Sequence, residues 1–280
     1  MYDDERNRPA PKKERKGAGA LGGILVAGGL LLAKFKTILA LLAGFKWLLI
    51  APKLLFSFGS MFLSIWLYAV WFGGWKIAVV FVLMILVHEL GHYFTWRNFG
   101  VAVSLPTFIP GFGAFVSSPG GTPGQNVAAS LAGPAFGMAA AMVCWGYALF
   151  HGEGTTGVAR DHFWFACAYI GFFLNLFNLI PVPPFDGGAI AGAIDARLWF
   201  LGIVLIGAWV LFFGGGVFGI VILILMAVTA VPRLIAIWRG QLDPRGSGLT
   251  AGQRAGTLVA YVALILIGIA GAAATHAERT

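Results

Sequence analysis

Residues 75–93 read WKIAVVFVLMILVHELGHY. Apart from Lys76 the first thirteen are apolar, and they run without a break into His88, Glu89 and His92. A helix needs about 20 mostly apolar residues to cross the hydrocarbon of a bilayer, and this stretch supplies them. An ionisable side chain at that depth costs roughly several kcal/mol, so its presence points to function before anything else is known.

The rest of the chain has the same character. Of 280 residues, 59% are hydrophobic and only 11% charged, against the roughly 25% charged of a soluble domain. Apolar runs near 20 residues recur along most of the length. The expected fold is an all-α polytopic membrane protein with about six firm transmembrane helices. Apolar stretches are read at 56–72, 75–99, 126–150, 162–180, 199–213, 217–238 and 257–274. Two shorter ones, at 17–33 and 37–51, fit either a tilted hairpin or a basic segment lying on the membrane surface. Residues 101–124, VAVSLPTFIPGFGAFVSSPGGTPG, are rich in Pro, Gly and β-branched residues and lack a helical period. They are too apolar for an ordinary loop. A re-entrant, β-like hairpin is expected there, since irregular backbone at membrane depth must be buried in protein or line a cavity.

The formal net charge is +8, but the basic residues sit in loops and at span ends. That pattern sets membrane orientation and meets lipid headgroups; nucleic acid is not an expected partner. The tail MYDDERNRPAPKKERK at 1–16 is too charged for a signal-peptide n-region and reads as a disordered basic tail. Arg233, Arg239, Arg245 and Arg254 flank the loop before the last span. With these basic segments inside, the N-terminus is cytoplasmic and His88, Glu89 and His92 lie in the cytoplasmic half of the membrane. Cys144 and Cys167 both fall within apolar runs and are expected to pack.

Between residues 17 and 152 the sole acidic residue is Glu89, and between 162 and 242 there are two, Asp186 and Asp195. Asp195, beside Arg197, reads as a solvated or helix-capping residue. His88 and His92 stand at i and i+4, so a helix places them on one face where both imidazoles reach one metal ion. Glu89 is turned by about 100°, towards a water on that metal rather than the metal itself. A catalytic zinc site usually takes three protein ligands and a water. His151, His162, His276 and Cys144 fall near other ends of their spans. Asp186 is the best third candidate. It lies in NLIPVPPFDGG, where Pro181, Pro183 and Pro184 interrupt the helix and Gly187 and Gly188 let backbone approach closely. The alternative is that Asp186 caps the next helix.

HELGHY on one span, SLAGPAFG on a later one and NLFNLIPVPPFDGG after it together resemble the site-2 protease family of intramembrane zinc metalloproteases, in its bacterial form. The likeness covers about residues 56–200. It implies Zn2+ held by His88, His92 and Asp186, with Glu89 as the catalytic acid and base. It also points to Asn178 as a residue that steadies substrate or the developing oxyanion; the plainer reading of Asn178 is a hydrogen bond at a helix end. The family's second motif commonly has Leu before the Asp; Phe185 stands here, an apolar exchange expected to matter little. Many bacterial relatives carry Arg after the two glycines, where this chain has Ala189. No stretch is long and polar enough for a PDZ-like or CBS-like domain.

The expected organisation is a tail at 1–16, apolar segments at 17–55, a metalloprotease membrane core at 56–200 and C-terminal transmembrane helices at 201–280. The resemblance implies an integral protein of a bacterial cell membrane that cleaves membrane-embedded or membrane-adjacent protein substrates. The 101–124 segment could receive such a substrate as an added strand. Two rival readings remain from the residues alone. A non-catalytic zinc scaffold would favour a closed site of four ligands. An ion or proton transporter carrying charge on Glu89 and Asp186 would favour paired broken helices or an inverted repeat.

Overall fold

The computed structural model describes Lys34, Lys36, residues 46–151 and residues 162–277. The chain divides into two compact units, Met1–Lys53 and Leu54–Thr280, and His88, Glu89, His92 and Asp186 all belong to the second. The expected tail at 1–16 and the apolar segment at 17–33 lie outside the described residues, as does most of the segment at 37–51.

The described elements, in order, are helices α1 (Lys46–Phe72) and α2 (Trp75–Asn98), strands β1 (Thr107–Ile109) and β2 (Gly113–Phe115), helices α3 (Pro123–Phe150), α4 (Phe163–Asn178) and α5 (Asp186–Asp195), a 3-10 turn (Ala196–Leu198), and helices α6 (Trp199–Phe213), α7 (Gly216–Thr229), α8 (Val231–Trp238) and α9 (Ala251–Ala277). Among the described residues six helical runs are long and apolar enough to cross a membrane. The protein is an all-α polytopic integral membrane protein. Large apolar side chains such as Phe56, Trp66, Phe150, Leu211 and Val259 are exposed on its outside, as expected where the solvent is lipid.

The helix ends refine the sequence reading. α3 begins at Pro123 rather than Asn126 because Thr122 and Gln125 form a reciprocal cap: the Thr122 hydroxyl accepts from Gln125 N–H, and the Gln125 carboxamide accepts from Thr122 N–H. Thr250 and Gln253 repeat the device at α9, which starts at Ala251 rather than 257. α4 has only 16 residues, about 24 Å at 1.5 Å per residue and short of a full crossing. It stops before the proline-rich segment, and helix resumes at Asp186. From there α5, the 3-10 turn and α6 form a run, 186–212, of 27 residues. Asp195 does not end that run. Its carboxylate accepts from Arg197 N–H at 3.0 Å and pairs with the Arg245 guanidinium at 3.1 Å, which is the capping role expected of it.

Residues 101–122 contain the expected hairpin. β1 and β2 pair antiparallel with Phe108 opposite Ala114. Its base is closed by Ser104 N–H to Ser117 O at 2.8 Å. α1 binds its outer edge: Ser57 donates to Pro106 O at 2.5 Å, and Ser60 Oγ accepts from Phe108 N–H at 3.3 Å.

Three apolar clusters make the core. Val82, Met84, Ile85, Phe108, Cys167 and Leu174 join α2, the hairpin and α4. Met138, Ala141, Phe172, Ile190 and Tyr261 join α3, α4, α5 and α9. Val182, Ala191, Trp199, Ile206, Ile222 and Met226 join the segment before α5 to α5, α6 and α7. Burial of Cys167 in the first accords with packing rather than redox use. Small residues set the helix separations. A Cβ on Gly91 would run into the Ala132 backbone, and one on Gly171 would meet Ala141 Cβ at 2.8 Å and Met84 Sδ at 3.2 Å. Apolar side chains gain little from leaving lipid for protein, so close backbone approach carries the association.

Gly171→Leu is therefore expected to lower stability by about 1–3 kcal/mol through overpacking. Gly146→Leu, on a face of α3 where an added Cβ meets nothing within 4 Å, is expected to leave it unchanged. Thermal unfolding of the two variants in the same detergent, followed by size-exclusion profile, reads the difference.

Candidate metal centre

α2 presents His88 and His92 one turn apart towards α3, α4 and the start of α5. Both are buried, at 3% and 8% exposure. His92 Nδ1 lies 2.8 Å from Ala129 O. A carbonyl only accepts, so Nδ1 carries a proton, and in the neutral ring Nε2 keeps its lone pair. His88 Nδ1 lies 2.8 Å from Asn175 Oδ1. The Asn175 amide nitrogen donates to Gly171 O at 2.7 Å, which fixes which end of the carboxamide faces the ring. His88 Nδ1 is thereby a donor too.

Both Nε2 atoms therefore aim outward at one place, where they stand 3.1 Å apart. Asp186 Oδ2 completes the triangle at 2.9 Å from His88 Nε2 and 3.3 Å from His92 Nε2. Three acceptors this close repel one another unless positive charge lies among them. Around a tetrahedral centre with bonds of about 2.0–2.1 Å, neighbouring donor atoms stand about 3.3–3.4 Å apart, so this triangle needs only a slight expansion to take an ion. Among the described residues it is the one set of three His, Cys, Asp or Glu ligand atoms that could hold a metal. Asp186 opens α5, and the carboxylate at its first turn is also favoured by the helix dipole. The N-cap position itself is held by Phe185, and Asp186 is the first residue of the helix.

The motif on α3 makes the convergence possible. A Cβ on Gly133 would collide with the His92 ring and reach His88 Nε2 at 3.0 Å; one on Gly137 would collide with the Asn175 carboxamide. The small residues of SLAGPAFG are thus the wall of the imidazole pair. Gly187 and Gly188 act likewise on the other side, where an added Cβ on either would run into the 179–183 backbone. That close approach seats Asp186 against α2.

Glu89 is 6% exposed and is not one of the converging ligands. Its carboxylate lies near the Val116 backbone N–H, just beyond β2. With His88 and Asn178 it lines one end of a cavity of about 520 Å³. Asn178 is half-buried, and its amide nitrogen donates to Leu174 O at 3.2 Å. The helix-end hydrogen bond and a position on the cavity are both present. His151, bonded to Tyr147 O, and Cys144 take no part in the triangle.

Asn175 is the residue that sequence reasoning missed. Its signal was there: two asparagines three apart in an otherwise apolar helix of 16 residues. Only the outer one matches the motif, whereas the inner one, fully buried, holds His88.

The family model described as Peptidase family M50 matches residues 76–157 and 153–198. These segments hold α2, the hairpin, α3, α4 and α5, and with them every residue of the triangle. No curated protein is matched by the sequence.

Asn175→Ala is expected to weaken binding of added Zn2+ by about 10–100-fold, the usual scale for losing a partner of a ligating histidine. Asn178→Ala is expected to leave that affinity nearly unchanged. Chelator competition on the purified protein measures both.

Proposed function

Because its residues 76–198 belong to peptidase family M50, the site-2 protease family, we propose that this protein is a zinc metalloendopeptidase that cleaves peptide bonds of membrane-embedded or membrane-adjacent substrates. The observation that carries the reading is the triangle of His88 Nε2, His92 Nε2 and Asp186 Oδ2 beside a buried glutamate that is not part of it. Two imidazoles and a carboxylate are a donor set that suits zinc, with a fourth position left for water. Zinc bound there supplies a Lewis acid that lowers the pKa of a water towards about 7.

The chain's own residues do the rest. Asn175 and the Ala129 carbonyl hold the two imidazoles in the tautomer that offers Nε2. Glu89 takes a proton from the attacking water on a carboxylate oxygen and returns it to the leaving amine nitrogen. The Val116 N–H beside that carboxylate favours its charged form. Asn178, on the same cavity wall, keeps an amide hydrogen with which to meet the substrate carbonyl as negative charge develops on it. The membrane location follows from the substrate, and the arginine-rich loop before α9 favours a cytoplasmic N-terminus with the site in the cytoplasmic half.

A transmembrane helix keeps its amides in internal bonds, so it must unwind before a peptide bond can be reached. We assign the hairpin to receiving the unwound stretch. β1 has its outer edge tied to Ser57 and Ser60. β2, whose Ala114 lines the cavity with His88 and Glu89, offers the other edge to an added strand.

Glu89→Gln is expected to retain zinc and lose cleavage, while Asp186→Ala loses zinc, as read by metal analysis and by cleavage of a single-span peptide in micelles. Full cleavage by Glu89→Gln would sink the mechanism. For the hairpin, Gly113 has φ of +107°, which proline cannot adopt. Gly113→Pro is expected to cut cleavage about tenfold or more with zinc content unchanged, and undiminished cleavage removes the hairpin from substrate binding.

A further inference from the structure

The cavity lined by His88, Glu89 and Asn178 has, besides these, the Tyr68 hydroxyl and the Trp71 and Trp209 indoles as its polar side chains, and the rest of its side chains are apolar. Its floor is made of Tyr68, Ile85 and Leu174, which are 5%, 6% and 8% exposed. Its walls include Phe81, Phe177 and Phe185. Edge-to-face contacts brace these rings: Phe177 against Phe185 at 5.0 Å and 77°, and Phe81 against Tyr68 at 4.9 Å and 66°. Edge-to-face contacts of this kind favour a fixed arrangement of the rings. At about 520 Å³ it lies within the usual range of pockets that take a ligand group.

Position decides what the occupant is. Ile85 stands one helical turn before Glu89, and Leu174 one turn before Asn178, so the floor lies about 5–6 Å along α2 and α4 from the reacting groups. Successive residues of an extended peptide are about 3.3 Å apart and point to alternate sides. A substrate strand with its scissile carbonyl at Glu89 therefore lowers the side chain of a residue flanking that bond onto Ile85 and Leu174. No charged group other than those of the reaction lines the cavity, so a charged side chain would be desolvated there without a partner. An alanine would leave the floor uncovered.

We propose that this cavity is a specificity pocket for one large apolar side chain, of the Leu, Met or Phe class, on the substrate residue flanking the scissile bond. The inference rests on the protease reading and deepens it. It also revises the expectation for Phe185: the exchange from Leu is not neutral, because the ring forms a wall of the pocket against Phe177.

The test uses the full chain loaded with Zn2+ and a set of single-span peptides sharing one Gly-Pro-interrupted apolar sequence. They differ only at one residue, Ala, Leu, Phe or Asp, placed in turn on each side of the bond located by mass spectrometry. On one side of the bond, Leu and Phe are expected to exceed Ala in kcat/KM by about tenfold or more, with Asp lowest. Ile85→Phe and Leu174→Phe, which fill the pocket, are expected to bring Ala level with or above Phe while zinc content stays the same. Equal rates for all four peptides, or an order of preference untouched by both filling variants, overturns the pocket. If the wild-type chain with zinc bound cleaves nothing, the protease reading fails separately. Retention of the same peptides on immobilised Glu89→Gln then decides the pocket: Leu and Phe held over Ala supports it, and equal retention overturns it.

Discussion

Two imidazole nitrogens and one carboxylate oxygen brought within 3.3 Å of each other inside a membrane helix bundle are what the rest of this fold has to support. Such a group cannot be stabilised by bulk water. Every polar atom in it must therefore find a partner from the protein. His92 takes the Ala129 carbonyl and His88 takes Asn175, which in turn holds the Gly171 carbonyl. The bonds run from α2 to α3 on one side and to α4 on the other, and a change at any member moves the Nε2 atoms.

That requirement explains why glycine recurs where it does. Backbone carbonyls and a short carboxamide can reach a ring only if the helices approach closely. Gly91, Gly133, Gly137 and Gly171 remove the Cβ atoms that would stand in the way. The broken segment between α4 and α5 serves the same end. A continuous helix through 179–185 would carry Asp186 past the histidines on a regular spiral. Pro181, Pro183 and Pro184 stop the helix, Val182 buries completely, and α5 restarts with Asp186 as its first residue. The irregular backbone is tolerated because Leu179 and Val182 bury it among α5, α6 and α9, and the Tyr261 hydroxyl takes the Leu179 carbonyl at 2.5 Å.

Much of this was legible in the residues. The run at 75–93 and the scarcity of acids gave the membrane class and singled out Glu89 and Asp186, because a charge at depth is costly whatever its neighbours. The i, i+4 spacing of the histidines needs only helical geometry. The hairpin could be read from proline, glycine and β-branched content. Asn175 could not be ranked above Asn178, since which of two asparagines faces a ring depends on helix rotation, a property of the packed bundle. The helix starts at Pro123 and Ala251 were hidden because a Thr-x-x-Gln cap looks like loop until its reciprocal bonds are seen. The continuity of α5 with α6 was hidden because Asp195 and Arg197 mimic an interface, when Asp195 instead caps a 3-10 turn within the run.

Glu89 belongs to two systems at once. On α2 it is fixed relative to the histidines by the helix, while its carboxylate lies near the Val116 amide of the hairpin. The hairpin in turn hangs on Ser57 and Ser60 of α1. A peptide that adds to β2 bears on the same strand end that lies beside the glutamate. On the proposed reading, strand binding and placement of the proton acceptor are coupled, and a poorly seated chain would leave Glu89 less well aimed. For the proposed protease such coupling has a use, because contact with lipid-borne chains is constant and only an unwound, correctly seated one should be cut.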